Sequence, residues 1–254
     1  MKKNDISIFI ATHKDFNPPK NKIYRPLQVG ADGKRDLNFL KDNMDENISS
    51  KNSNYCELTG IYWIWKNIKA DIVGLVHYRR YFYKDKSIND TNNILDKDDI
   101  NKLMKIYDVI VPKKVKILSG NVKQLYAKKH NVQDYNKCRE IISEKYPKYL
   151  HSFDKISNQR YLYPYNMTIM KKKYFDEYCK WLFDILFELE KRVDISDYDD
   201  YNKRIFGFLS ERLFNVWLDY NKELRVKEII VYNTEDNVLK QRSINLVKDI
   251  LVRG

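Results

Sequence analysis

A chain of 254 residues is long enough to bury a sizeable core, and 43% hydrophobic against 32% charged residues marks a folded protein rather than a disordered one. The net charge of +12, from 47 Lys and Arg against 35 Asp and Glu, favours anionic partners such as phosphorylated small molecules or anionic lipid. The positive charges are spread along the chain and no helix-turn-helix, zinc-finger or RNA-recognition pattern appears, so nucleic acid is not an expected partner.

Residues 6–11 form an apolar run that reads as a buried first strand, ending in the polar Thr12 and His13. Residues 18–53 are polar and irregular, long for a connection within one domain. Residues 55–68 carry Leu58, Ile61, Tyr62 and Trp65 at helical spacing, and Asn54 with Glu57 three residues later suggests a capping box. A second strand, residues 72–76, runs straight into His77, Tyr78, Arg79 and Arg80. A polar loop, 84–97, leads to a short helix at 98–106 and a third strand at 109–111. Residues 123–145 read as one helix, 163–170 as holding a fourth strand, 175–191 and 206–220 as two further helices, and 229–232 as a last strand. Residues 240–252 read as a basic amphipathic tail. Strands alternating with helices imply an α/β sheet covered by helices.

In open α/β sheets, ligands bind outside the carboxyl ends of the strands. Arg79 and Arg80 at such an end suit phosphate, which guanidinium groups bind in two-pronged fashion; alternatively they pair with surface carboxylates. No Asp-x-Asp follows a strand. Asp96 and Asp98, and Asp197 to Asp200, read as solvated loop or capping carboxylates, so no metal site is expected. Glycine-rich phosphate loops and the serine-hydrolase elbow are absent. Tyr126, His130 and Asp134 would share one face of a continuous helix, facing an acceptor or joined as a His130–Asp134 pair. Glu211, amid apolar residues, is either a general base or the partner of Arg212 or Arg204. An aromatic content of 14% leaves rings for clefts and surfaces, where they stack on sugars, although a compositional bias towards Lys, Asn, Ile and Tyr also explains it.

Five segments taken together resemble a known family: 54–67, 74–82, 126–149 with its His130 and Asp134, 165–167, and 206–213. They are similar to the bacterial capsular and exopolysaccharide glycosyltransferases long catalogued as a domain of unknown function. The resemblance covers nearly the whole chain and is specific only as a set. His77, Tyr78, Arg79 and Arg80 match one motif; Asn54, Glu57 and Gly60 a second; Glu211 and Arg212 a third. It implies a GT-A-like nucleotide-binding fold and transfer of a hexose, often galactose, from a UDP-sugar to a glycan or undecaprenyl-diphosphate-linked acceptor.

Charge then suggests the roles. Arg79 and Arg80, with His77, would stabilise the departing diphosphate without a metal cofactor, and Tyr78, Thr12, His13, Asn54 and Gly60 would complete the donor site. Glu211 and His77 are the catalytic candidates; His130, Asp134, Asn166 and Arg212 fall on the acceptor side. Residues 1–120 would bind the nucleotide-sugar, 121–225 form a helical acceptor part, and 226–254 the basic tail. Three scattered cysteines suggest reduced thiols and a cytoplasmic setting, and the tail, with Lys240, Arg242, Lys248 and Arg253, suits peripheral docking on anionic membrane. Two rival readings are a non-enzymatic carbohydrate- or nucleic-acid-binding module and a metal-dependent nucleotidyltransferase.

Overall fold

The computed structural model describes residues 4–84 and 93–235; the tail expected at 240–252 lies outside the described residues. In chain order the main elements are β1 (Ile6–Thr12), β2 (Tyr24–Gln28), β3 (Leu40–Lys41), α1 (Asn52–Tyr55), α2 (Leu58–Asn67), β4 (Ile72–His77), β5 (Arg80–Phe82) and α3 (Lys97–Ile106). There follow β6 (Val109–Pro112), β7 (Val115–Lys116), α4 (Val122–Ala127), α5 (Val132–Lys145), α6 (Leu150–Asn158), β8 (Tyr161–Leu162), β9 (Thr168–Lys171) and α7 (Lys172–Arg192). α8 (Ile205–Tyr220), β10 (Val226–Ile229) and β11 (Val231–Asn233) complete the described fold.

The main sheet has the order β10-β6-β9-β4-β1-β2-β3. β1 pairs in parallel with β2 and β4, whereas β9 pairs antiparallel with both β4 and β6, so β9 alone runs against the others along this path. β5 folds back from β4 and pairs with β11. The strand alternation divides the core. Phe9, Ala11, Val73 and Leu75 pack under α2, α7 and α8, while Ile6, Ile8, Ile10, Ile72 and Val76 join Ile100 and Met104 of α3 on the other face. With both faces covered, β1 and β4 must be apolar throughout, which is why they read as continuous hydrophobic runs. The result is an α/β sheet flanked by helices. It draws strands from nearly every stretch of the chain, including 168–171 and 226–229. No helix among the described residues is long and apolar enough to cross a membrane.

Several sequence expectations are corrected. The polar stretch 18–53 contributes β2 and β3 to the sheet and is organised by the buried Asp42, which accepts hydrogen bonds from Gly30 N at 2.8 Å, Ala31 N at 3.0 Å and Ser49 Oγ at 2.5 Å. The helix expected at 55–68 is two helices, broken at Cys56, whose φ is 52°. No capping box forms there: Asn54 donates to the Lys203 carbonyl at 2.9 Å and Glu57 accepts from Asn166. The helix expected at 123–145 is also split. Asn121 caps α4 and Asn131 caps α5, so Tyr126, His130 and Asp134 do not share one continuous helical face. The strand expected within 163–170 is confined to β9, and the last strand is resolved into β10 and β11. Asp96 caps α3 in a capping box with Asp99 and pairs with Lys84, as expected for a loop carboxylate.

Candidate functional site

A cleft of about 860 Å³ opens at the carboxyl ends of β1, β2 and β4. Ala11 and His13 come from the end of β1, Val29 follows β2, and His77 to Arg80 form the β4–β5 turn. The opposite wall carries Asn52, Ser53, Cys56 and Glu57 from the α1–α2 break, Tyr165 from the loop before β9, and Tyr201, Arg204 and Glu211 from α8 and its approach; Lys129 stands at the rim. The sheet thus delivers Arg79, Arg80 and two imidazoles, and the opposite wall delivers two carboxylates, two aromatic rings and Arg204.

β4 ends at His77 and the turn through Tyr78 and Arg79 leads to Arg80, which leaves both arginines lining the cleft. Arg79 Nη1 binds Glu235 Oε2 at 2.6 Å, and that carboxylate also lies 3.8 Å from Lys14. The Arg80 guanidinium lies 4.4 Å above the Tyr165 ring, and its buried Nε has no acceptor among the described residues. His77 Nε2 is likewise buried without a partner among the described residues. Burial holds the His77 imidazole below its usual pKa, with Arg80 and Arg79 adding to the fall and Glu57 opposing it. His13 is lowered too, by burial first and then by Lys14, Arg79 and Arg204. The site therefore presents unsatisfied donors and neutral imidazoles in a positive field, the condition in which an anion gains most.

The two carboxylates differ. Glu211 Oε2 accepts from Arg212 Nη1 at 3.0 Å, so the pair anticipated from sequence forms. Burial nevertheless lifts the Glu211 carboxyl above the ordinary range, against the pull of Arg212. Glu57 Oε1 accepts from Asn166 Nδ2 at 2.7 Å.

Of the residues expected at the site, His13, His77, Tyr78, Arg79, Arg80 and Glu211 line the cleft. Thr12 is 1% exposed and its hydroxyl closes the turn onto Lys14 O at 2.6 Å. Gly60 is buried where α2 meets β2; a Cβ there would lie 2.8 Å from Val29 Cγ1. Asn54, as noted, fastens α1 to the segment before α8. His130 does not pair with Asp134: its Nδ1 meets Asn202 Oδ1 at 2.9 Å and its ring stacks on Phe208 at 4.1 Å, while Asp134 accepts from the Tyr198 hydroxyl at 3.0 Å. Asn166 and Arg212 stand behind the cleft, holding Glu57 and Glu211. Asn52, Cys56, Glu57, Lys129, Tyr165, Tyr201 and Arg204 line it without having been anticipated as ligand-facing residues. Of these, Glu57 carried a sequence signal in its place in the family's helix motif, and Cys56, Lys129 and Tyr165 fall within segments that carry the resemblance.

Among the described residues no three His, Cys, Asp or Glu side chains converge in a manner suited to a metal ion. The groups at the strand ends are guanidinium and imidazole, a donor set that fits an anion directly.

No curated protein matches the chain. Its structure is similar to the apo structure of WbbM, a bifunctional glycosyltransferase, with a TM-score of 0.85 and 30% sequence identity over 91% of this chain. The match spans 45% of that longer protein. The family described as a domain of unknown function, DUF4422, matches residues 7–222, and the chain belongs to that family.

Proposed function

We propose that this chain is a glycosyltransferase that moves a hexose, with galactose the first candidate, from a UDP-sugar to a glycan or undecaprenyl-diphosphate-linked acceptor in the synthesis of capsule or another surface polysaccharide. The observation that carries the reading is the cluster of Arg79, Arg80, Arg204 and His77 around one cleft at the ends of β1 and β4, in a fold shared with a solved glycosyltransferase. As the bond from the sugar C1 to the diphosphate oxygen breaks, its electron pair leaves with UDP. Fixed cations in a partly closed cleft stabilise that charge without reorganising. Tyr78 and His13, packed edge to face at 5.6 Å, flank the position of the nucleoside. A floor carboxylate, Glu211 or Glu57, takes the acceptor proton if the configuration inverts.

The test is calorimetry with UDP, GDP, CMP and their sugar conjugates, in EDTA and in manganese. The expected result is UDP binding in EDTA, weakened at least tenfold by Arg80→Ala and less by Arg79→Ala, whose guanidinium is already shared with Glu235. Binding that requires manganese would overturn the arginine mechanism while keeping the enzyme class. No binding of any nucleotide would overturn the reading as a whole.

A further inference from the structure

The transfer reading leaves two carboxylates as candidates for the proton of the attacking hydroxyl. The Glu211 carboxylate is engaged by Arg212 at 3.0 Å. Burial lifts it against the pull of Arg212, and the charge of Glu57 adds to that rise.

Glu57 is built differently. One oxygen is held by the neutral Asn166 amide at 2.7 Å, and among the described residues no second donor to its side chain is found. Asn166 is 5% exposed and is itself fixed, accepting from Ser210 Oγ at 3.0 Å and donating to Gly207 O at 3.3 Å. The backbone is strained on both sides of this bond. Cys56, directly before Glu57, has φ 52° and ψ −132°, and Tyr165, directly before Asn166, has φ 67°. Non-glycine residues in such conformations cost about 1–3 kcal/mol each and persist where the surrounding fold enforces them. Both strained residues line the cleft, and Glu57 lies within electrostatic reach of His77. The strained breaks thus turn one glutamate inward and lock it with one oxygen open to the cleft.

We propose that Glu57 is the general base of the transfer and that Asn166 is its positioning residue. The inference rests on the reading above, for transfer with inversion at the sugar C1. The acceptor oxygen bonds to the sugar C1 as the bond from C1 to the diphosphate breaks; the hydroxyl proton passes to the open oxygen of Glu57 and the bonding pair departs with UDP.

The test uses the full chain, with water as acceptor, and follows UDP release from the sugar nucleotide that wild type turns over fastest. Glu57→Gln, which keeps an oxygen for Asn166, should lower kcat by roughly 100- to 1000-fold with UDP affinity changed less than about twofold. Added formate should restore turnover to Glu57→Ala, a response that a purely structural role would not give. Asn166→Ala should lower kcat about tenfold at unchanged KM, and Glu211→Gln should cost less than Glu57→Gln. UDP affinity and circular dichroism establish that each variant is folded. Wild-type turnover in Glu57→Gln, a greater loss in Glu211→Gln, or no rescue by formate would each overturn the inference. UDP binding without turnover of any sugar nucleotide would overturn the base alone; absence of nucleotide binding would overturn the transfer reading with it.

Discussion

At His77, burial and the neighbouring positive charge act in the same direction. Its Nε2 has no partner among the described residues, and burial with two neighbouring guanidinium groups keeps the ring neutral. A bound diphosphate would reverse the field and favour the imidazolium. UDP-galactose is the useful ligand here, because its diester diphosphate does not titrate near neutrality. Its binding should take up as much as about one proton per site, and its affinity should rise as the pH falls from 7 towards 6. Calorimetry in buffers of different ionisation enthalpy reads the uptake directly. His77→Gln should remove most of it, leaving the smaller share of His13; undiminished uptake would mean that His77 does not face the diphosphate. For stability the sign is opposite. A folded-state imidazole pKa held down favours the fold fully above the unfolded value of about 6.5, and that contribution is lost as the pH drops below it.

At the scale of elements, two glycines let the sheet accept close neighbours, and they should respond differently to alanine. A Cβ at Gly74 in β4 would lie 2.7 Å from the Thr168 carbonyl oxygen of β9, a backbone atom that cannot turn aside. A Cβ at Gly60 in α2 would press on Val29 Cγ1 at 2.8 Å and Leu27 Cδ2 at 3.2 Å, both side-chain atoms, and alanine would return about 1 kcal/mol of helix propensity. Urea unfolding should therefore show a loss of about 3 kcal/mol or more for Gly74→Ala and about 1 kcal/mol for Gly60→Ala. Equal losses would refute the distinction.

The same scale shows what the sequence could reveal. β1 and β4 were legible because strands buried on both faces are apolar throughout. β2 was not: it carries the exposed Arg25 and a proline, Pro26, and its strand character comes from pairing with β1. The break at Cys56 was hidden because a non-glycine residue in the left-handed region has no local signature. Gly207 of α8, where an added Cβ would lie 3.1 Å from Cys56 Sγ, supplies the room for it. Arg79, Arg80 and His77 were legible because a strand end positions them locally. Glu57, Tyr201 and Arg204 reach the cleft only through the packing of α1, α2 and α8 against the sheet, so their spacing in the chain says little about their use.

At the scale of the whole molecule, the last described residues bring the chain back to Arg79 at the cleft. β11 runs antiparallel to β5, Thr234 N donates to Arg79 O at 2.8 Å, and Glu235 places its carboxylate on the Arg79 guanidinium at 2.6 Å. Arg79 and Lys14 hold that carboxyl below the usual carboxylate range, Arg79 chiefly through a direct hydrogen bond. A carboxylate and a phosphate make the same demand on guanidinium geometry. In the transfer reading, Glu235 therefore competes with the donor diphosphate for Arg79, and UDP binding must first displace it. Glu235→Gln keeps the size of the side chain and removes its charge. It should tighten UDP binding about three- to tenfold, or roughly 0.7–1.4 kcal/mol, with the larger gain at low salt because the contact is partly exposed to solvent. In an Arg79→Ala background the same substitution should change affinity little, since the guanidinium under competition is gone. If Glu235→Gln instead weakens UDP binding, the contact orders Arg79 for the diphosphate rather than masking it. Non-additivity of the two substitutions would still locate the coupling at this pair.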